Sequence, residues 1–132
     1  MDFNEYQKKC FETNYYPKAS NKIYMTMESI NKDFDDPLES IDRLALAMYA
    51  LGLTGEAGEV ADKIKKVFRD KAGVFSKEDA FEIAKELSDN FWYISVIAGT
   101  LGYTLERIAE INIEKLKIRV ANNKIHGSGD NR

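Results

Sequence analysis

Two short acidic motifs carry the chemistry in this chain. E-A-G-E supplies Glu56 and Glu59, and E-L-S-D supplies Glu86 and Asp89. Acids three positions apart on a helix share one face, with Cβ atoms ~5–6 Å apart. Single pairs of this kind are common on solvated helices; facing and register set these two apart. At ~100° per residue counted from Ile41, Leu44, Ala45, Met48 and Gly52 stay within about 60°, Glu59 returns to about 0° and Glu56 to about 60°. The stripe expected to pack inward therefore runs into the carboxylates. In the second motif, the Glu86–Asp89 face continues into Tyr93, Val96 and Ile97. If the two segments form a hairpin about Gly73, Glu59 and Glu86 stand 14 and 13 residues from it, and Glu56 and Asp89 stand 17 and 16. At a rise of ~1.5 Å per residue, the pairs reach almost the same height.

Four facing, partly buried acids would cost several kcal/mol if left uncompensated. An all-oxygen set points to a hard ion, Mg²⁺ with Mn²⁺ as a substitute, rather than zinc. Mg²⁺ keeps water in its shell and commonly shares it with substrate phosphates. Further along, Asn112, Lys115 and Arg119 fall on one helix face: Asn112 lies among Leu105, Ile108, Leu116 and Val120, which are expected to be core, and Lys115 and Arg119 lie at the edge of that stripe. Read alone, they are an amphipathic boundary with stems lying along apolar surface. Beside a carboxylate–metal cluster they become a clamp for a polyphosphate. Lys63, four residues after Glu59, reads as an ordinary helix ion-pair partner of that acid. Trp92 reads as core packing, and His126 receives no role.

Four helices are expected to position these groups. The first spans about 4–13, with Phe3, Tyr6 and Cys10 on one side. A long connection from Asn14 to Pro37 follows and contains both prolines. The second helix covers about 38–69, with a break near Gly52, and Gly73 just beyond it suits a left-handed cap. Ser76 followed by Asp79 is a capping-box-like start for a third helix reaching about Gly99. Thr104 caps a fourth, Leu105–Ala121. The tail from 122 to 132 is Gly-rich and aperiodic. Strand signals are weak throughout, so the fold class is all-α: one domain over 1–132, with the catalytic helices in 38–121.

Composition agrees with this picture. The 132 residues are 44% hydrophobic and 31% charged, which suits one globular domain. A net charge of −3 gives no basic surface for DNA or RNA. The single cysteine, Cys10, excludes an internal disulfide and reads as a buried, inert thiol. No apolar run approaches the ~20 residues of a membrane span, and the acidic start is unlike a secretory signal, so a cytoplasmic protein is expected.

The stretches G-L-T-G-E-A-G-E-V-A-D-K-I-K-K and K-E-L-S-D-N-F-W-Y-I, followed by N-x-x-K-x-x-x-R, resemble the MazG-type nucleotide pyrophosphohydrolases. The resemblance runs over about 44–132. The family pattern is E-x-x-E, a spacer and E-x-x-D; here 26 residues separate Glu59 from Glu86. S-D-N-F-W stands where G-D-V-L-W is commoner, and the acid is kept. The ending H-G-S-G-D-N-R resembles small phage and bacterial members, for which a host cytoplasm is implied. The resemblance implies a four-helix-bundle-like fold, with Mg²⁺ held by Glu56, Glu59, Glu86 and Asp89. It also implies water attack on the α-phosphorus of a nucleoside triphosphate, with Glu56 or Glu59 as proton acceptor and Asn112, Lys115 and Arg119 on the substrate.

F-W-Y-I-S-V-I-A, in the third helix, is apolar nearly all round and needs cover on every side. One short chain supplies only part of that cover, so a homodimer, or a tetramer made by pairing dimers, is expected. The alternative is a non-catalytic helical adaptor that uses an acidic groove to bind a basic partner or a nucleotide.

Overall fold

A computed structural model describes residues 1–14 and 43–122; the side chains of Arg43 and Leu44 are not described. Four helices follow one another: α1 (Phe3–Glu12), α2 (Arg43–Lys71), α3 (Lys77–Thr100) and α4 (Leu105–Ala121). Among the described residues there is no strand. The all-α class holds. Most of the connection expected at 14–37, and His126 with the Gly-rich tail, lie outside the described residues.

α1, α3 and α4 each start at a capping side chain. Asp2 accepts from the Glu5 amide at 2.8 Å, and Thr104 accepts from the Arg107 amide at 3.1 Å. The capping box at α3 forms: Ser76 Oγ accepts from Asp79 N, and Ser76 N donates to Asp79 Oδ2 at 3.0 Å. Lys71, the last residue of α2, donates to both Asp79 oxygens, at 2.6 and 2.8 Å. This pairing fastens the end of α2 to the start of α3. The turn between them holds two residues in the left-handed region, Ala72 (φ 51°) and the expected Gly73 (φ 80°). The Gly73 amide donates back to the Val67 carbonyl, ending the helix.

α2 and α3 form the hairpin that the acidic motifs require, and α1 packs against α3 and α4. The helix break expected near Gly52 does not occur; α2 is continuous. Gly52 is there for contact instead: a Cβ at that position would lie 2.3 Å from Cζ of Tyr93. Gly99 does the same for α1, since its Cβ would meet the Phe11 ring at 2.4 Å. The two helix pairs thus close at a glycine on one side and an aromatic ring on the other.

The central cluster joins Cys10, Ala45, Tyr49 and Val96, with Tyr6, Trp92, Tyr93 and Ile97 packed around it. Cys10 is buried, as expected. Trp92 stands edge-on to Tyr49 and Tyr93, and its Nε1 donates to Thr13 Oγ1 at 3.0 Å. It is a packing residue. Sequence reasoning missed Gln7, which is fully buried. Its Nε2 donates to the carbonyls of Ser95 (3.2 Å) and Tyr103 (2.9 Å), and its Oε1 accepts from the Leu105 amide (3.2 Å). One amide side chain therefore ties α1, the end of α3 and the first turn of α4 together.

The expected inner stripe of α4 is corrected. Leu105 is buried, but Leu116 and Val120 are exposed. The inward face runs instead through Leu105, Ile108, Lys115 and Arg119, so Arg119 is buried while its apolar neighbours face out.

Candidate metal and nucleotide site

The hairpin brings three of the four acids together. Glu56, Glu86 and Asp89 each offer an oxygen, and these oxygens lie within 4.8 Å of one another. Glu56 and Glu86 are half-buried and Asp89 is exposed. Glu59 is exposed, one turn along α2, and is not in this trio; it lines the adjoining cleft. Oxygens around a Mg²⁺ ion stand about 3–4 Å apart, given ligand distances near 2.1 Å. Small side-chain rotations would bring the trio to that spacing, so the donor set and its geometry fit a hard divalent cation.

The electrostatics point the same way. Burial raises the Glu56 carboxyl above its ordinary range, and the nearby charges of Asp89 and Glu86 raise it further. A carboxyl in this state gains from a cation placed among its neighbours. Tyr6 on α1 is also raised, chiefly by burial, then by its hydrogen bond with Cys10, with the charge of Asp89 contributing. α1 therefore borders the acidic cluster, and Tyr6 stacks on Phe91 with ring centroids 4.8 Å apart.

Lys63 does not pair with Glu59, as its spacing suggested. Its Nζ reaches across the hairpin to Glu86 Oε1 at 2.9 Å and Glu82 Oε2 at 3.0 Å. These bonds, to Glu86 first, hold its ammonium in the charged form. The protein thus supplies one cation of its own to a cluster expected to depend on metal alone. Glu82 went unnoticed in the sequence, although it lies four residues before Glu86 on the same face of α3. Beside the trio, a cleft of 440 Å³ between α2 and α3 is lined by Glu59, Lys63, Lys66, Lys71, Glu82 and Glu86, among others. Lys65 and Lys66 also pair with Asp62 along α2.

On α4, Asn112 is exposed, Lys115 is half-buried and Arg119 is buried at 8% exposure. A guanidinium held that far inside is more than a stem lying along a helix boundary. Among the described residues, α4 packs against α1 and α3 but not α2. None of the three belongs to the carboxylate trio or lines the cleft beside it.

The comparisons with known proteins fit this arrangement. The model of the MazG nucleotide pyrophosphohydrolase domain matches residues 45–123. The chain belongs to the MazG nucleotide pyrophosphohydrolase family. It is also similar to the "Gene 37 protein" of Mycobacterium phage L5, with 42% identity over 87 residues, covering 66% of this chain and 76% of that protein. No solved structure matches the chain significantly. Among the described residues, no helix is long and apolar enough to cross a membrane.

Proposed function

We propose that this protein hydrolyses nucleoside triphosphates to a nucleoside monophosphate and pyrophosphate, using Mg²⁺ or Mn²⁺ held at the acidic cluster. The observation that carries the reading is the convergence of Glu56, Glu86 and Asp89 from two helices, inside a segment that matches the family throughout. A bound divalent ion would supply charge neutralisation for the phosphates and acidify an attacking water. Glu56, Glu86 and Asp89 would hold that ion. Glu59, exposed and lining the cleft, would take the proton from the water, with Glu56 as the alternative. Lys115 and Arg119 would balance the remaining phosphate charge, and Asn112 would orient a sugar or phosphate oxygen.

The reading includes a homodimer or a dimer of dimers. Among the described residues, seventeen large hydrophobic residues are exposed, a surface broad enough to suit a second copy. Ile113, Leu116, Ile118 and Val120 put much of it on α4. A second copy covering these faces would complete the bundle. The substrate pool places the activity in a cytoplasm, that of the host if the gene is carried by a phage.

A panel of NTPs and dNTPs with Mg²⁺, resolved by ion-exchange chromatography, tests the activity. Equal amounts of monophosphate and pyrophosphate are expected. Diphosphate with orthophosphate would contradict the reading, and nucleotide binding without turnover would favour the adaptor.

A further inference from the structure

We propose that Lys63 is a tethered counterion that competes with the divalent cation for Glu86, and that Glu82 is the carboxylate onto which its ammonium withdraws when the cation binds. Lys63 would then set the affinity of the acidic cluster for its ion. The proposal rests on the reading of Glu56, Glu86 and Asp89 as the cation site.

The geometry supports it at three points. First, Glu86 belongs to both arrangements: its carboxylate offers one oxygen to the trio, and its Oε1 receives the Lys63 ammonium at 2.9 Å. Second, Lys63 already has a second acceptor, Glu82 Oε2 at 3.0 Å. Glu82 is not one of the trio, and its side chain is 46% exposed against 16% for Glu86. Third, Lys63 departs from the pairing its sequence position offers, since Glu59 four residues earlier is left for a contact across the hairpin.

These features make an exchange inexpensive. An ammonium that lost its only carboxylate in a half-buried groove would face the full cost of an unpaired charge. With Glu82 in reach, Lys63 gives up one hydrogen bond and keeps the other. An arriving divalent ion attracts Glu86 twice as strongly as a single charge does and repels the ammonium toward Glu82. The displaced ammonium nevertheless stays near the ion and keeps opposing it. A unit charge on the order of 5 Å from a divalent ion, screened as in water with ordinary salt, changes its affinity by about fivefold.

The test is a calorimetric titration of the full-length protein with MnCl₂, with circular dichroism confirming the helical content of each variant. Lys63→Met is expected to bind Mn²⁺ about fivefold more tightly than the wild type. Glu82→Gln, which leaves the ammonium with Glu86 alone, is expected to bind at least about threefold more weakly. In the Lys63→Met background, Glu82→Gln should weaken binding less, by the loss of its own charge alone, because the rest of its effect acts through Lys63. Unchanged or weaker binding by Lys63→Met would overturn the proposal and would instead make Lys63 a support that positions Glu86. An equal effect of Glu82→Gln in both backgrounds would overturn it too. If Lys63→Met does not fold, the Glu82→Gln result decides, and unchanged or tighter binding there overturns the idea. A wild-type protein that takes up no Mn²⁺ would sink the cation site itself, and this proposal with it; normal wild-type binding with an unresponsive Lys63→Met sinks only the counterion.

Discussion

Replacing Gln7 with leucine removes the buried amide that hydrogen-bonds α1 to the α3–α4 turn. Three bonds are lost, but they are not equal. The Ser95 carbonyl lies inside α3 and keeps its helical partner one turn on. The Tyr103 carbonyl lies outside any helix, and the Leu105 amide belongs to the first turn of α4, where amides have no intrahelical acceptor. Two buried groups are therefore stranded, each at about 1–3 kcal/mol. Leucine nearly fills the space and gains apolar burial, which offsets a fraction of that. The expected loss is about 2–4 kcal/mol, a large share of the ~5–15 kcal/mol available to a domain. Urea denaturation followed at 222 nm measures it, and hydrogen exchange should show α4 amides losing protection first. Because α4 carries Asn112, Lys115 and Arg119, the Michaelis constant should also rise. A loss below about 0.5 kcal/mol would refute the reasoning, for it would mean that water or a shifted backbone satisfies both stranded groups.

Glu59→Gln and Asp89→Asn should each lower turnover by at least about a hundredfold while circular dichroism stays that of the wild type; activity retained in both would defeat the site assignment. Gly52→Ala puts a methyl group 2.3 Å from the Tyr93 ring and should lower the thermal midpoint, at a cost of about 1–3 kcal/mol as α2 and α3 are pushed apart. An unchanged midpoint would show that the ring swings clear without penalty. Asp79 has its pKa lowered from 3.8 to about 2 by hydrogen bonds from Lys71 and then Ser76. The folded state thus holds this proton less well than the unfolded chain, and the contribution is present above about pH 4 and lost as the pH falls toward about 2. The urea midpoint should fall across that window, and more shallowly in Asp79→Asn; parallel curves would exclude Asp79 as a source of the slope.

Local rules made the helices readable. Ser76 and Thr104 announce helix starts through hydroxyls that accept from amides three residues on, and this chemistry needs no tertiary information. The acidic trio was readable for a similar reason, since helical pitch and a hairpin about Gly73 set the heights of Glu56, Glu86 and Asp89. What failed depended on neighbours. Gly52 looks like a break because glycine weakens an isolated helix, yet it is kept because a tyrosine needs the space. Lys63 has an acid at helical spacing in Glu59, and only the packing of α3 on α2 gives it Glu82 and Glu86 instead. The inner face of α4 was misjudged because apolar residues were assumed to point inward, whereas Arg119 does so and Leu116 and Val120 stay exposed. Gln7 gave no periodic signal, because a single polar residue in a ten-residue helix looks solvated until its three partners are brought around it.

Turnover of a triphosphate substrate in ¹⁸O-water, with the products weighed by mass spectrometry, bears most directly on a carboxylate-held divalent ion directing attack at the α-phosphorus. One ¹⁸O atom in the nucleoside monophosphate, unlabelled pyrophosphate, and no turnover in the presence of a chelator are expected. Label in the pyrophosphate, or undiminished hydrolysis with the chelator present, would contradict the account.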